Sequence, residues 1–129
     1  MTSMDSRALL LLVLPLAGCT AKLEGSIDLD GKTFRATSCR SLTPMGYTGV
    51  ELEAADGARL RVVERADGDA EVFYFAASKN KGKSYGACAT MKIQKQNSSV
   101  NKVTNVEGRV KLDCPDADAK GEIKFENCH

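Results

Sequence analysis

Apolar and polar residues alternate with a period of two along most of this chain, and that periodicity restricts its fold more than any other feature. Phe34, Ala36 and Ser38 share one parity, with Thr33, Arg35 and Thr37 on the other. Val50, Leu52 and Ala54 alternate with Glu51 and Glu53, and Leu60 and Val62 with Arg59 and Arg61. Further on, Met91 and Ile93, Val110 and Leu112, and Ile123 and Phe125 are each interleaved with charged or amide residues. Successive side chains of a strand point to opposite faces, so this pattern buries one face of a sheet and solvates the other. No window carries the repeat of an amphipathic helix.

The alternating runs predict strands over about 23–28, 32–38, 49–55, 59–65, 70–76, 87–95, 105–113 and 121–127. Val72-Phe73-Tyr74-Phe75 is apolar throughout and predicts a central strand. Asp30-Gly31, Asp56-Gly57 and Asp67-Gly68 fall between runs. Asp-Gly supplies the positive φ values that two-residue hairpin turns need. Pro115-Asp116-Ala117-Asp118 breaks the chain after Cys114. The expected fold is all-β: a small antiparallel sandwich or barrel of about eight strands.

The N-terminus follows a different rule. Ala8 to Ala17 is an uncharged, mostly apolar run behind Arg7. A spanning helix needs about 20 apolar residues, so this shorter run reads as the hydrophobic region of an export signal. It ends in Leu16-Ala17-Gly18-Cys19. That segment resembles the lipobox of bacterial lipoproteins. The resemblance implies cleavage before Cys19, a diacylglyceryl group on its thiol and a fatty acyl chain, such as palmitate, on its new amine. Each buried methylene then contributes about 0.8 kcal/mol, and two or three chains hold a protein on a membrane. Thr20 occupies the sorting position of that class, where Asp would imply retention at the inner membrane; Thr implies the outer membrane. The expected organisation is a signal peptide over 1–18, a lipidated tether over 19–22 and a single domain over 23–129.

The cysteines fit an exported domain. Lipidation uses Cys19 and leaves Cys39, Cys88, Cys114 and Cys128. An even number in an oxidising compartment reads as two disulfides, and the wide spacings do not suit zinc. If the strands run up and down in order, Cys114 and Cys128 fall at opposite ends of one hairpin, roughly 20 Å apart. A disulfide tolerates only about 4.4–6.8 Å between Cα atoms. The expected pairs are therefore Cys88–Cys114 and Cys39–Cys128. Cys88 has the opposite parity to Met91 and Ile93, so the first pair requires a β-bulge.

Chemistry-bearing groups are sparse. Lys and Arg total 18 against 17 Asp and Glu, which gives no field suited to nucleic acid. Trp is absent and aromatic residues make up 5%, a thin supply for a stacking surface. The one His is His129, the terminal residue, with no evident nucleophile beside it. Asp28/Asp30, Asp67/Asp69 and Asp116/Asp118 fall in predicted turns and lack the ligand pattern of a calcium loop. No catalytic, metal or cofactor site is expected. Ser78 to Gly86 is more distinctive, with Lys79, Lys81 and Lys83 at alternate positions beside Tyr85. It is the candidate interaction loop. Gly46-Tyr47-Thr48-Gly49 is a second candidate loop with an aromatic tip.

These features predict a non-enzymatic module of the bacterial cell envelope. Its partners would be the membrane, through acyl chains, and an envelope protein. The general plan of lipobox, small all-β domain and disulfides is similar to the membrane-bound lysozyme-inhibitor family, which implies an inhibitor presenting Ser and Lys residues to an acidic cleft. The Ser78–Lys83 segment matches that family only loosely, so no site is carried over. The alternative class is a domain binding envelope glycan or lipid, which needs an apolar pocket with converging polar groups.

Overall fold

The computed structural model describes residues 20–129. The export signal, the lipobox and Cys19 lie outside the described residues. The strands are β1 (Lys22–Leu29), β2 (Lys32–Phe34), β3 (Ala36–Ser41), β4 (Gly49–Ala54), β5 (Arg59–Glu64), β6 (Ala70–Phe75), β7 (Lys83–Val100), β8 (Val103–Cys114) and β9 (Ala119–Cys128). All pair antiparallel in one sheet of order β2-β1-β9-β8-β7-β6-β5-β4-β3.

The two edges of that sheet, β2 and β3, are separated in sequence only by Arg35. They behave as one bent strand. Its first part pairs with β1 through Ile27↔Phe34, and its second with β4 through Cys39↔Leu52. Sharing this strand curls the sheet into a nearly closed barrel. Counted so, the eight expected runs are the eight walls. Below Arg35, β3 leaves β1, and the Cys39–Cys128 disulfide crosses the resulting seam with Cα atoms 5.2 Å apart. The second disulfide is Cys88–Cys114, also 5.2 Å between Cα atoms. The bulge it requires is present, because the β6–β7 register slips between Ala70↔Ala89 and Val72↔Gly86.

The core follows the alternation. Leu52, Leu60, Val62, Val72, Val110 and Ile123 are fully buried inside the barrel. Each contributes about 1.5–3 kcal/mol relative to exposure. Phe73 and Phe75 have the opposite parity to Val72, so β6 puts an apolar residue on both faces.

One Asp-Gly turn is as expected, and three other turns depart from expectation. Asp30-Gly31 is a two-residue turn with both φ values positive, 49° and 82°. Asp56-Gly57 and Asp67-Gly68 lie in longer hairpin loops where Gly alone is positive, at 94° and 92°. In these loops the aspartate accepts a hydrogen bond two residues on, from Ala58 N at 2.9 Å and from Asp69 N at 3.1 Å. A second two-residue turn, not expected from the sequence, is Asn101-Lys102, with φ of 51° and 69°. It lengthens β7 and β8 past their expected ends, and beyond Val106 this hairpin pairs only with itself.

Candidate functional site

The strands give the barrel two unlike ends. One holds the β1–β2 turn and the loops over 55–58 and 76–82. The other holds the β3–β4 and β5–β6 loops, the start of β1 and the end of β9. At the first end lies a mouth with a cavity of about 490 Å³. Leu29, Phe34 and Ala58 are among its buried apolar residues. Tyr74 and Tyr85 line it, and Asp30, Lys32, Arg35 and Asp56 supply its charge. Concave sites with an apolar floor and a few polar groups are where small ligands and protruding partner residues bind, and barrel mouths are a recurring location.

Closure of the barrel assembles this mouth from residues far apart in sequence. The Tyr85 hydroxyl donates to Asp30 Oδ2 at 3.1 Å. Lys83 Nζ lies 3.7 Å from the same oxygen and 5.1 Å from the centre of the Tyr85 ring. The pair is exposed, so its direct contribution to stability is small. Burial, the hydrogen bond to Asp30, and the charges of Asp30 and Tyr74 together push the Tyr85 phenol up to about 12. A raised acid stabilises the fold in its protonated form. This contribution is complete below the ordinary phenol value of 10.0 and disappears as pH rises through about 12. An ultraviolet absorbance titration is therefore expected to show a late tyrosine phase near pH 12. Tyr85→Phe should remove that late phase. If the late phase persists in the variant, the Tyr85–Asp30 contact is not formed in solution.

The candidate interaction loop divides in two. Its turn is shorter than expected, because β7 already begins at Lys83. Lys83 and Tyr85 belong to the strand and meet Asp30, whereas Lys79 and Lys81 are exposed on the loop over 76–82. The base of that loop is fixed. Arg59 Nη2 donates to the Lys79 carbonyl at 2.9 Å, and Lys79 N donates to Ala76 O at 3.0 Å. A Cβ at Gly82 would come 2.7 Å from the Phe75 ring, so a larger residue there would push the ring aside.

The same outer face carries a cluster that the sequence pattern did not single out. Glu51 is 3% exposed although its parity points it outward. Arg40 and Arg61, its register partners on β3 and β5, cover it. Arg40 Nε and Nη2 donate to Glu51 Oε1 at 2.9 and 2.6 Å, and Arg61 Nε and Nη2 to Oε2 at 3.0 and 2.7 Å. Burial raises the Glu51 pKa, but hydrogen bonds from Arg61 and Arg40 and the charges of both outweigh it, leaving the carboxyl below its ordinary value. Arg59 and Arg61 stack over Phe75 at 4.5 and 5.1 Å. The cluster thus stiffens β3 to β6 behind the mouth. The available signal was charge complementarity between Arg40, Glu51 and Arg61, which becomes informative only once the register is known.

Other sequence candidates serve structure. His129 Nδ1 lies 3.1 Å from Asn105 Oδ1 at the far end of the barrel. Asp28 accepts from Thr33 Oγ1 at 3.2 Å, and the Asp118 carbonyl accepts from Asp30 N at 3.1 Å. Among the described residues, no three His, Cys, Asp or Glu side chains group as a metal site. A larger concavity, about 760 Å³, crosses β1, β9, β8 and β7. Charges such as Glu24, Lys124, Arg109 and Lys92 line it together with Met91, Ile93 and Phe125. No protein-family model matches the chain, and neither a curated protein nor a solved structure does. The fold is a small, nearly closed β-barrel stapled by two disulfides, with a cavity at one end.

Proposed function

We propose that this protein is a lipid-anchored lipoprotein of the bacterial cell envelope, sorted to the outer membrane, whose barrel is a non-enzymatic interaction module. The mouth carrying Tyr85, Asp30 and Lys32 is its binding end. The carrying observation is the direction of β1. Thr20 sits at the end opposite the mouth, where its carbonyl accepts from Asn127 Nδ2 at 3.2 Å. From there β1 runs eight residues, about 26 Å, to the mouth. Acyl chains on Cys19, the residue before Thr20, would put the bilayer at the end opposite the mouth and present the mouth to the surroundings.

Cys19→Ser is expected to leave the barrel folded and release it from membranes. A photo-crosslinker at Lys32 in intact cells is expected to capture one stoichiometric envelope protein, and one at Lys102, at the far end, is not. An unacylated Cys19 in the intact mass of the native protein removes the anchor. Equal capture from both positions, or glycan turnover by the purified protein, removes the interaction reading. A second reading takes the mouth as a pocket for a small envelope amphiphile. The two tyrosines on a cavity of about 490 Å³ favour it. Native mass spectrometry of protein extracted from its own membranes would then retain a bound ligand mass.

A further inference from the structure

At the anchor end, the segment from Ser41 to Thr48 contains no charged residue. It holds Met45 and Tyr47, which are 47% and 55% exposed. These are the exposed large apolar side chains among the described residues. Their loop is ordered by its own contacts. Leu42 N donates to Gly49 O at 3.1 Å, Met45 N to Leu42 O at 3.0 Å and Gly46 N to Thr43 O at 2.9 Å. Glu64 N ties it to β5 through Thr48 O at 2.8 Å, and Leu42 is fully buried beneath it. The two side chains are thus held out in water by a stiff frame. A fixed apolar pair in solvent marks a contact surface, and its ordering entropy is already spent.

The covalent frame places this loop beside the start of the described chain. β3 leads directly into it, and Cys39 on β3 is bonded to Cys128 at the end of β9. Asn127, the neighbour of Cys128, holds Thr20. Asn127 is itself clamped by Gln96, which donates from Nε2 at 3.0 Å and accepts from Asn127 N at 2.8 Å.

We propose that Met45 and Tyr47 form a second membrane contact, seated in the leaflet that carries the Cys19 acyl chains; this rests on the lipid anchor proposed above. Tyr suits that position because its ring is apolar and its hydroxyl stays hydrated at headgroup level. The neighbouring hairpin over 65–69 carries Arg65, Asp67 and Asp69, which limits insertion to the outer few ångströms. With the acyl chains as one attachment and this loop as another, the barrel stands upright with its mouth outward.

The absence of Trp allows a direct test. The full chain with Tyr47→Trp is expressed, and its mature form is reconstituted in phosphatidylethanolamine–phosphatidylglycerol vesicles, with or without brominated acyl chains. Intact mass reports whether Cys19 is acylated. The indole of Tyr47→Trp is expected to shift to shorter wavelength on reconstitution and to lose about half its emission to bromine, as an apolar side chain at the headgroup–acyl boundary would. Asn80→Trp, on the mouth loop, is expected to show neither change. Acylated, vesicle-bound protein whose Tyr47→Trp emission ignores bromine overturns the loop contact and leaves the anchor standing. An unmodified Cys19 overturns the anchor and this inference with it. Shielding of the Tyr47→Trp indole by a co-purifying protein instead of lipid overturns the choice of occupant.

Discussion

Replacing Cys39 and Cys128 together by alanine is expected to remove more stability than replacing Cys88 and Cys114. The first bond joins residues 89 apart, the second residues 26 apart. In the chain-entropy account the corresponding losses are about 4.6 and 3.5 kcal/mol. Topology widens the gap. Cys88 and Cys114 lie on β7 and β8, neighbours already joined by a backbone ladder from Ala89↔Leu112 onward. Cys39 and Cys128 lie on β3 and β9, which do not neighbour each other in the sheet order. Without their bond, β3 below Arg35 keeps β4 on one side and an open edge on the other. Denaturant unfolding of the two double variants measures the difference. Native-state amide exchange in the Cys39/Cys128 variant should accelerate first in β3 and in the N-terminal half of β1. A larger loss from the Cys88/Cys114 pair, or uniform acceleration across the sheet, would mean that the seam is closed by other forces.

What could be read before the fold was known is what depends on nearest neighbours along a strand. Ile123 and Phe125 alternate with Glu122, Lys124 and Glu126 because one face of β9 meets the core and the other meets water. That relation is local, so the strand positions and the all-β class were legible. The disulfide pairing was legible for a similar reason: up-and-down order fixes which end each cysteine reaches. Three features depended on information that is not local. The split of the second run into β2 and β3 at Arg35 reflects barrel closure, which one stretch of sequence does not encode. The Asn101-Lys102 turn lacks the Asp-Gly signature, yet both residues adopt positive φ because the long β7–β8 ladder demands a tight return. The mouth was half legible. Lys83 and Tyr85 stood out as a pair, but Asp30, 55 residues from Tyr85, joins them only when β1 comes round to β7.

The clamp at Glu51 yields the second large effect, and it came from that non-local information. Glu51→Ala is expected to cost about 2–4 kcal/mol, less than the loss of a fully buried ion pair because the Arg40 side chain is about half exposed. Two guanidinium groups would be left facing each other without the carboxylate between them. Glu51→Gln keeps the shape and removes the charge, so it separates electrostatics from packing. The Glu51 carboxyl is held below its ordinary value of 4.5. A depressed acid contributes its stability above the unfolded value and loses it as pH falls through the folded one. Stability of the parent protein should therefore fall on acidification below about pH 4.5, and the part of that fall due to Glu51 should be missing from Glu51→Gln. Replacing Arg40, Glu51 and Arg61 together by apolar residues of similar length should cost less than Glu51→Ala alone, since it leaves no charge uncompensated. If Glu51→Gln unfolds at the parent's denaturant midpoint and keeps the full acid dependence, the three groups do not act as a clamp, and β3 to β6 draw their rigidity from the core beneath them.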